Sequence, residues 1–407
     1  MSADLPQAST GIVLSGGGAR GAYEAGVVQG IMEVLQPSHA PFDVLCGTSV
    51  GALNAAYLGA NAQRPDMDAA GLAEHWRALD VSTHLRLDMR GLLGWKRDWT
   101  GDDGIGLPKL VGRSLLDARA LEVIVREHVD WHQLHRNVGT GLVRSLVVSA
   151  LHIASGRTTL FAELAPGATF TGSRDPRRVP RLQPIDSDMV LASAAIPLLF
   201  PARRVGRDYF CDGGVRFNTP IAPAIRSGAH RLVVVSLLSD EEPDAAHSLE
   251  EEDARVEAYK SPVFLIGKVL NALLLDPLRY DLQVLDRFNR LLDILQQTLP
   301  PEELAEVQRV IGEARGLPYR RIETLVFRPS KDVGMLARER ARDLHASRFS
   351  SWLLARTATL GSLWESDLLS FILFDSHFAE QLIELGRADA RCRADEIRAF
   401  FAPRGSA

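Results

Sequence analysis

Three short segments combine residue types and spacings that can do chemistry. The first is Ser15-Gly16-Gly17-Gly18-Ala19-Arg20-Gly21, between the apolar run Gly11-Ile12-Val13-Leu14 and a stretch with helical periodicity. Its glycines let the backbone turn tightly and present N–H groups outward. The helix after it adds partial positive charge at its N-terminus. The segment is therefore an anion site in type. Gly16-x-Gly18-x-x-Gly21 also fits a dinucleotide fingerprint, a weak signal by itself. The acidic residue expected ~20 positions further on is not convincingly there. Asp43 comes late and precedes an apolar strand rather than ending one. No Gly-Lys-Ser/Thr is present after the loop, which excludes a P-loop. The bland alternative is a glycine-rich turn with no ligand.

The second segment is Gly47-Thr48-Ser49-Val50-Gly51, after the apolar run Phe42–Cys46 and before another helical stretch. Strand, turn and helix are the setting of a nucleophile elbow. Gly47 and Gly51 permit the sharp turn that lifts the Ser49 hydroxyl clear of a sheet. The third is Asp212-Gly213-Gly214, directly after a strand ending at Cys211. A carboxylate at the C-terminal end of a strand lies where α/β folds build sites. Gly213 and Gly214 let other backbone come close. An ordinary Asp-Gly turn is the alternative reading.

Together the segments make one chemical set. A serine needs a base to become nucleophilic. A tetrahedral oxyanion needs preorganised amide donors, which the glycine loop can supply. Asp212 can accept the serine proton directly, or a histidine can stand between them. The chain has 11 histidines, none in a recognisable motif. His230 and His247 come after Asp212, so the order Ser…Asp…His is formally open. His230 precedes a buried strand and His247 sits in an acidic run, which favours ordinary surface or core roles.

The elements that position these segments read as α/β. The chain has 407 residues, 46% of them hydrophobic and 24% charged, so a sizeable core can form and disorder is excluded. Short apolar runs at Leu146–Leu151, Thr158–Phe161, Asp208–Cys211 and Leu232–Leu237 alternate with helical stretches. Apolar strands separated by helices predict a buried, largely parallel sheet. The acidic run Asp240–Asp253 is a plausible boundary. Residues 1–240 are expected to form one domain and 241–407 a mainly helical region. A strand-like piece within 324–330 is a candidate to return to the sheet.

A net charge of −5 gives no reason to expect nucleic acid. The odd number of cysteines, Cys46, Cys211 and Cys392, fits a reducing compartment without a disulfide framework. The N-terminus shows no signal-peptide pattern. The most apolar stretch, Val263–Leu275, falls short of the ~20 residues of a spanning helix. The expected location is cytoplasmic, with membrane contact peripheral at the inner membrane.

In this order the segments resemble the patatin-like phospholipase family. The match covers Gly16–Gly21, Gly47–Gly51 and Asp212-Gly213-Gly214. It also covers Ala192-Ser193-Ala194-Ala195-Ile196-Pro197-Leu198-Leu199-Phe200-Pro201, and Asn218 and Pro220 after the aspartate. The resemblance implies a three-layer α/β/α domain with a central, mostly parallel sheet. It implies cleavage of carboxylic esters of phospholipids or lysophospholipids by a serine–aspartate dyad, without histidine, metal or cofactor. By the matching motifs Ser49 would be the nucleophile and Asp212 its base. The oxyanion hole would come from the loop Gly16, Gly17, Gly18, Arg20 and Gly21, led by the amides of Gly17 and Gly18. Arg20 would hold that loop or meet a substrate phosphate. Two departures stand out: Ser15 replaces a common aspartate, and Asp-Gly-Gly replaces the commoner Asp-Gly-Ala. Neither touches a reacting atom.

Three further expectations complete the reading. Asp212 needs a raised pKa to act as base near neutral pH. The segment Ala60–Arg144, with Trp76, Trp95, Trp99 and Trp131, is a candidate cap over the site. Arg174, Arg177, Arg178 and Arg181, with Arg203, Arg204 and Arg207, are candidates to meet anionic headgroups at a transient membrane or micelle surface, against a solvated loop as the blander reading. Rival functions are a lipid acyltransferase using the same dyad, a non-catalytic scaffold, and a nucleotide-binding Rossmann protein.

Overall fold

The computed structural model describes residues 9–79, 86–87, 116–117, 119–197, 199–239, 277–317, 319–344 and 366–403. The acidic run, Val263–Leu275, Trp95 and Trp99 lie outside the described residues. A nine-stranded sheet organises the molecule. Its strands are β1 (Thr10–Leu14), β2 (Val44–Thr48), β3 (Ser145–His152), β4 (Arg157–Leu164) and β5 (Arg178–Leu182). They continue with β6 (Arg203–Val205), β7 (Asp208–Asp212), β8 (Arg231–Val235) and β9 (Glu323–Phe327). The order is β9-β8-β1-β2-β3-β4-β5, and β7 pairs with both β3 and β6. The five strands from β9 to β3 run parallel, while β4 and β7 lie antiparallel to β3. The sheet is thus mostly parallel.

Side-chain alternation explains why both faces are covered. Ile12, Leu14, Leu45, Leu146, Val148, Val233 and Val235 feed one core. Their neighbours Val13, Val44, Cys46, Val147, Leu232 and Val234 feed the other. The first core is closed by α1 (Gly21–Leu35), α2 (Val50–Ala60) and α3 (Ala69–Arg77). Helices α4 (Arg119–His128), α5 (Trp131–Gly139) and α6 (Ser187–Ser193) extend it. The second is closed by α7 (Ile221–Arg226) and by Leu282 and Leu285 of α8 (Pro277–Thr298). The result is three-layer α/β/α with a helical C-terminal region.

That region comprises α9 (Pro301–Arg315), α10 (Val333–Leu344), α11 (Ser366–Ile372), α12 (Ser376–Cys392) and α13 (Ala394–Phe401). Strand β9 joins the sheet edge beside β8 in parallel. Helix α12 lies directly on α1, and glycines allow the approach. A Cβ at Gly26 would sit 2.1 Å from Ile383 O, and one at Gly386 would sit 2.3 Å from Tyr23 O. Phe378, Leu382 and Ile383 are fully buried in the first core. Among the described residues no helix is long and apolar enough to cross a membrane.

Within the candidate cap, Trp76 is buried. It stacks on Phe374 with ring centroids 6.3 Å apart and donates through Nε1 to Asn54 Oδ1 at 2.9 Å. Trp131 opens α5 and donates to Val125 O. Cys46 and Cys211 are buried in the sheet, Cys392 is exposed, and all three are free thiols.

Candidate active site

The site arises from strand register. On β3, Ser149 is level with Thr48 of β2, and the next residue, Ala150, is level with Asp212 of β7. Strand β2 therefore ends where the oppositely directed β7 ends, beside consecutive residues of one strand. Both ends lead into turns. After Thr48 the chain enters the elbow, and Ser49 takes φ 57° and ψ −127°. A side chain rarely adopts this left-handed region, at a cost of order 1–3 kcal/mol. The surroundings enforce it. A Cβ at Gly47 would lie 2.2 Å from Gly51 O, and one at Gly51 would lie 2.4 Å from Leu14 O. Only glycine fits on either side of the serine.

Ser49 Oγ donates to Asp212 Oδ2 at 2.6 Å. The other oxygen, Oδ1, accepts the Gly214 N–H at 2.7 Å. Ser49 is 2% exposed and Asp212 is fully buried. Burial pushes the Asp212 pKa up to about 7, and the hydrogen bonds from Ser49 and Gly214 pull against that rise. Gly213 must be small because a Cβ there would lie 2.3 Å from Ser149 O. His152 faces Asp208, and His230 sits beside Arg320, so neither approaches the pair.

The glycine loop divides into committed and uncommitted amides. Gly16 N–H donates to Asn218 Oδ1 at 3.0 Å, and Asn218 Nδ2 donates to Gly16 O at 3.0 Å. One side-chain amide thus clamps one peptide from both sides. The Arg20 N–H donates to Gly17 O, and the Gly21 N–H to Gly18 O and Ala19 O. Among the described residues no acceptor faces the amides of Gly17 and Gly18. The amides of Gly16, Arg20 and Gly21 hold the loop itself together. Gly18 has φ +58°, and a Cβ there would lie 2.1 Å from Phe371 O. The C-terminal region therefore reaches the loop.

Arg20 is 3% exposed. Its Nε donates to Ser370 Oγ at 2.7 Å, and its guanidinium lies 4.6 Å from the Phe371 ring centroid. It ties the loop to α11. Glu24, one turn along α1, accepts from Ser15 N–H at 2.7 Å and from Asn54 Nδ2 at 2.9 Å. Full burial raises its pKa well above the usual carboxylate value. Ser15 donates through its hydroxyl to Val235 O at 2.9 Å.

The sequence motifs did not disclose every supporting side chain. Ser193 accepts the Ser49 N–H at 2.8 Å and donates to Ser149 O at 2.6 Å. It joins the elbow to β3. Its place in the Ala192–Pro201 stretch was visible, but its partners were not. Glu24 gave one signal: a carboxylate among small and apolar residues in the first turns of a helical stretch. Among the described residues no group of three His, Cys, Asp or Glu side chains could hold a metal ion.

Comparison with known proteins gives the family of the chain. A family model described as patatin-like phospholipase matches residues 12–225. A cGAMP-activated phospholipase from Pseudomonas aeruginosa is 29% identical over 214 residues, 51% of this chain and 53% of the relative. The chain spans about half the length of that curated relative. Among solved structures, VipD from Legionella pneumophila aligns over 93% of this chain and 67% of its own, with TM-score 0.33 and 14% identity. The family match takes in more than half of the 407 residues and contains the glycine loop, the serine elbow and the aspartate turn. The chain belongs to the patatin-like phospholipase family.

Proposed function

We propose that this chain hydrolyses carboxylic esters of phospholipids or lysophospholipids through Ser49 and Asp212. The observation that carries the reading is the 2.6 Å hydrogen bond from Ser49 Oγ to a fully buried carboxylate. Family membership and the name of the Pseudomonas relative, a phospholipase, agree with it.

Ser49 Oγ attacks the acyl carbonyl while its proton moves to Asp212 Oδ2. Carbonyl electrons become an oxyanion, which the amides of Gly17 and Gly18 stabilise. Losing one such donor typically costs ~3–4 kcal/mol. Collapse of the intermediate expels the alcohol, which takes the proton, and leaves an acyl-enzyme. Water then attacks the acyl carbon, giving its proton to Asp212. Release of the fatty acid returns that proton to Ser49. The Gly214 N–H on Oδ1 keeps Oδ2 turned toward the serine throughout. A carboxylate with a pKa near 7 is matched to this work at neutral pH.

The acyl chain has a place beside the nucleophile. Val50 is next to Ser49 in the chain, and Val50, Leu53 and Tyr57 share one face of α2. With Leu72, Trp76 and Phe374 they line an apolar cavity of ≈ 20 Å³. That is room for about one water, so a chain enters by displacing side chains. Residues 1–240 carry the chemistry in this reading. The region 241–407 closes the site through Ser370, Phe371 and Phe374.

The test is fatty-acid release from mixed phospholipid and lysophospholipid micelles in the presence of a chelator. Wild type is expected to release fatty acid, and Ser49→Ala and Asp212→Ala are not. Retention of most activity by Asp212→Ala would overturn the dyad.

A further inference from the structure

The strand-end of the sheet at which Ser49 stands also carries two turns with an unusual surface. Strand β3 runs past the level of Asp212, which pairs with Ala150. Ile153 lies three residues beyond Ala150, about 10 Å further along the strand direction. Its N–H donates to Tyr209 O at 3.0 Å, so the turn 152–157 stands beside the β6–β7 hairpin. Both residues project large apolar groups into solvent: Ile153 is 42% exposed and Tyr209 46%.

Cations surround them. Arg157, Arg204, Arg207 and Arg216 are all exposed. Arg216 donates to Gly156 O, which fastens the turn to the segment just after Asp212-Gly213-Gly214. Among the described residues none of these four arginines has a carboxylate within ion-pair distance. Of the other arginines singled out by sequence, Arg174 donates to the backbone Glu313 O and the remaining four are matched by carboxylates. Arg177 and Arg178 are matched by Asp175, Arg181 by Asp208, and Arg203 by Glu122. The acidic member of the patch, Asp208, is held by Arg181 and lies beside His152. Four uncompensated positive charges thus gather at one edge of a chain whose net charge is −5.

We infer that the turns 152–157 and 204–209, with Arg216, dock this chain on an anionic lipid surface. The arginines meet headgroup phosphates, and Ile153 and Tyr209 enter the headgroup boundary. A tyrosine suits that depth because one end is apolar and the other polar. The placement turns the strand ends bearing Ser49 and Asp212 toward the lipid. The purpose of docking rests on the proposed ester hydrolysis, but docking is measured by binding alone.

The experiment is sedimentation of the full chain with vesicles of equimolar phosphatidylcholine and phosphatidylglycerol, and with phosphatidylcholine alone, at low and high salt. Wild type is expected on the anionic vesicles at low salt only. The variant Arg157→Gln/Arg204→Gln/Arg207→Gln should bind on the order of 10²-fold more weakly, about fivefold per arginine. Ile153→Ser/Tyr209→Ser keeps every charge and should lose roughly tenfold. Both variants should hydrolyse a short soluble ester at the wild-type rate while losing activity on vesicles in parallel. Equal binding to the two vesicle types would overturn docking by charge. So would wild-type binding by the arginine variant, including the case where that variant instead loses a protein partner. A wild type that binds anionic vesicles but cleaves no ester would sink the hydrolase reading and leave the docking surface standing.

Discussion

Replacing Asp212 by asparagine should make the protein inactive and, above neutral pH, more stable. The side chain is isosteric. Its oxygen can keep the Gly214 N–H, and its NH₂ can face Ser49 Oγ, so both hydrogen bonds seen at Asp212 have a counterpart. What changes is the charge. Burial raises the carboxyl from its ordinary 3.8 to about 7. Between about pH 4 and pH 7 the folded state therefore holds a proton that the unfolded chain has already given up. Across that window wild-type stability falls as pH rises, because ionising the group favours the unfolded state. At ~1.36 kcal/mol per unit, a rise of about three units corresponds to on the order of 4 kcal/mol. Asparagine does not ionise, so the gap between variant and wild type should open through this window and level off above pH 7. Urea denaturation of both proteins from pH 5 to pH 9 measures it. The same group should set the acidic limb of wild-type kcat/KM, with activity rising through about pH 7 as the base loses its proton. A gap that is independent of pH, or a variant less stable than wild type at pH 8, would refute the assignment of a costly buried carboxylate at 212.

The supports of the site yield three more expected outcomes. Asn218→Ala removes both side-chain partners of the buried Gly16 peptide, leaving its N–H only the 3.4 Å bond to the residue 218 carbonyl and its carbonyl unsatisfied at ~1–3 kcal/mol, and should lower kcat on the order of 10²-fold by loosening the loop. Steady-state kinetics with an unchanged kcat would show that the clamp does not set the loop. Ser193→Ala leaves the Ser49 N–H without its acceptor and should destabilise the fold by ~1–3 kcal/mol, read by urea midpoints, while Ser193→Thr retains the acceptor oxygen. Phe374→Leu removes the stack on Trp76 and widens the cavity next to Val50. Rates across a series of acyl-chain lengths should then shift toward longer chains; an unchanged profile would place the acyl chain elsewhere.

The chemistry-bearing segments were legible because each combines a rare residue pattern with a strand end. Ser49 and Asp212 could be named, and a raised Asp212 pKa expected, from local sequence. Their meeting could not, because it depends on β7 abutting β2 along β3, a register that no local pattern encodes. The apolar strands were readable from their buried residues. Strands β5 and β6 were not. β5 reads RVPRL, is no more than half-buried along most of its length, and carries Pro180, which suits only an edge. The three residues of β6 have no pattern to detect. The C-terminal helices showed amphipathic spacing but not a destination. The signal for α12 on α1 was the glycines Gly26 and Gly386, whose meaning appears only when the two helices touch. Arg20 illustrates the same limit: its partner Ser370 is 350 positions away.

The way the site is held explains why these distant parts belong to it. Ser49 carries backbone strain, and Asp212 carries the cost of burial; neither state persists unless rigid surroundings impose it. Strand register fixes the two ends, Gly47 and Gly51 admit the strained turn, and Ser193 pins the serine amide to β3. The glycine loop has no strand of its own, so it is held by Asn218 on one side and by Arg20 with Ser370 and Phe371 on the other. The second support comes from the C-terminal region. A movement of α11 would therefore loosen the same loop whose Gly17 and Gly18 amides face no acceptor among the described residues. In the proposed mechanism the loop that supplies the amide donors is thus held in part by one short helix of the C-terminal region.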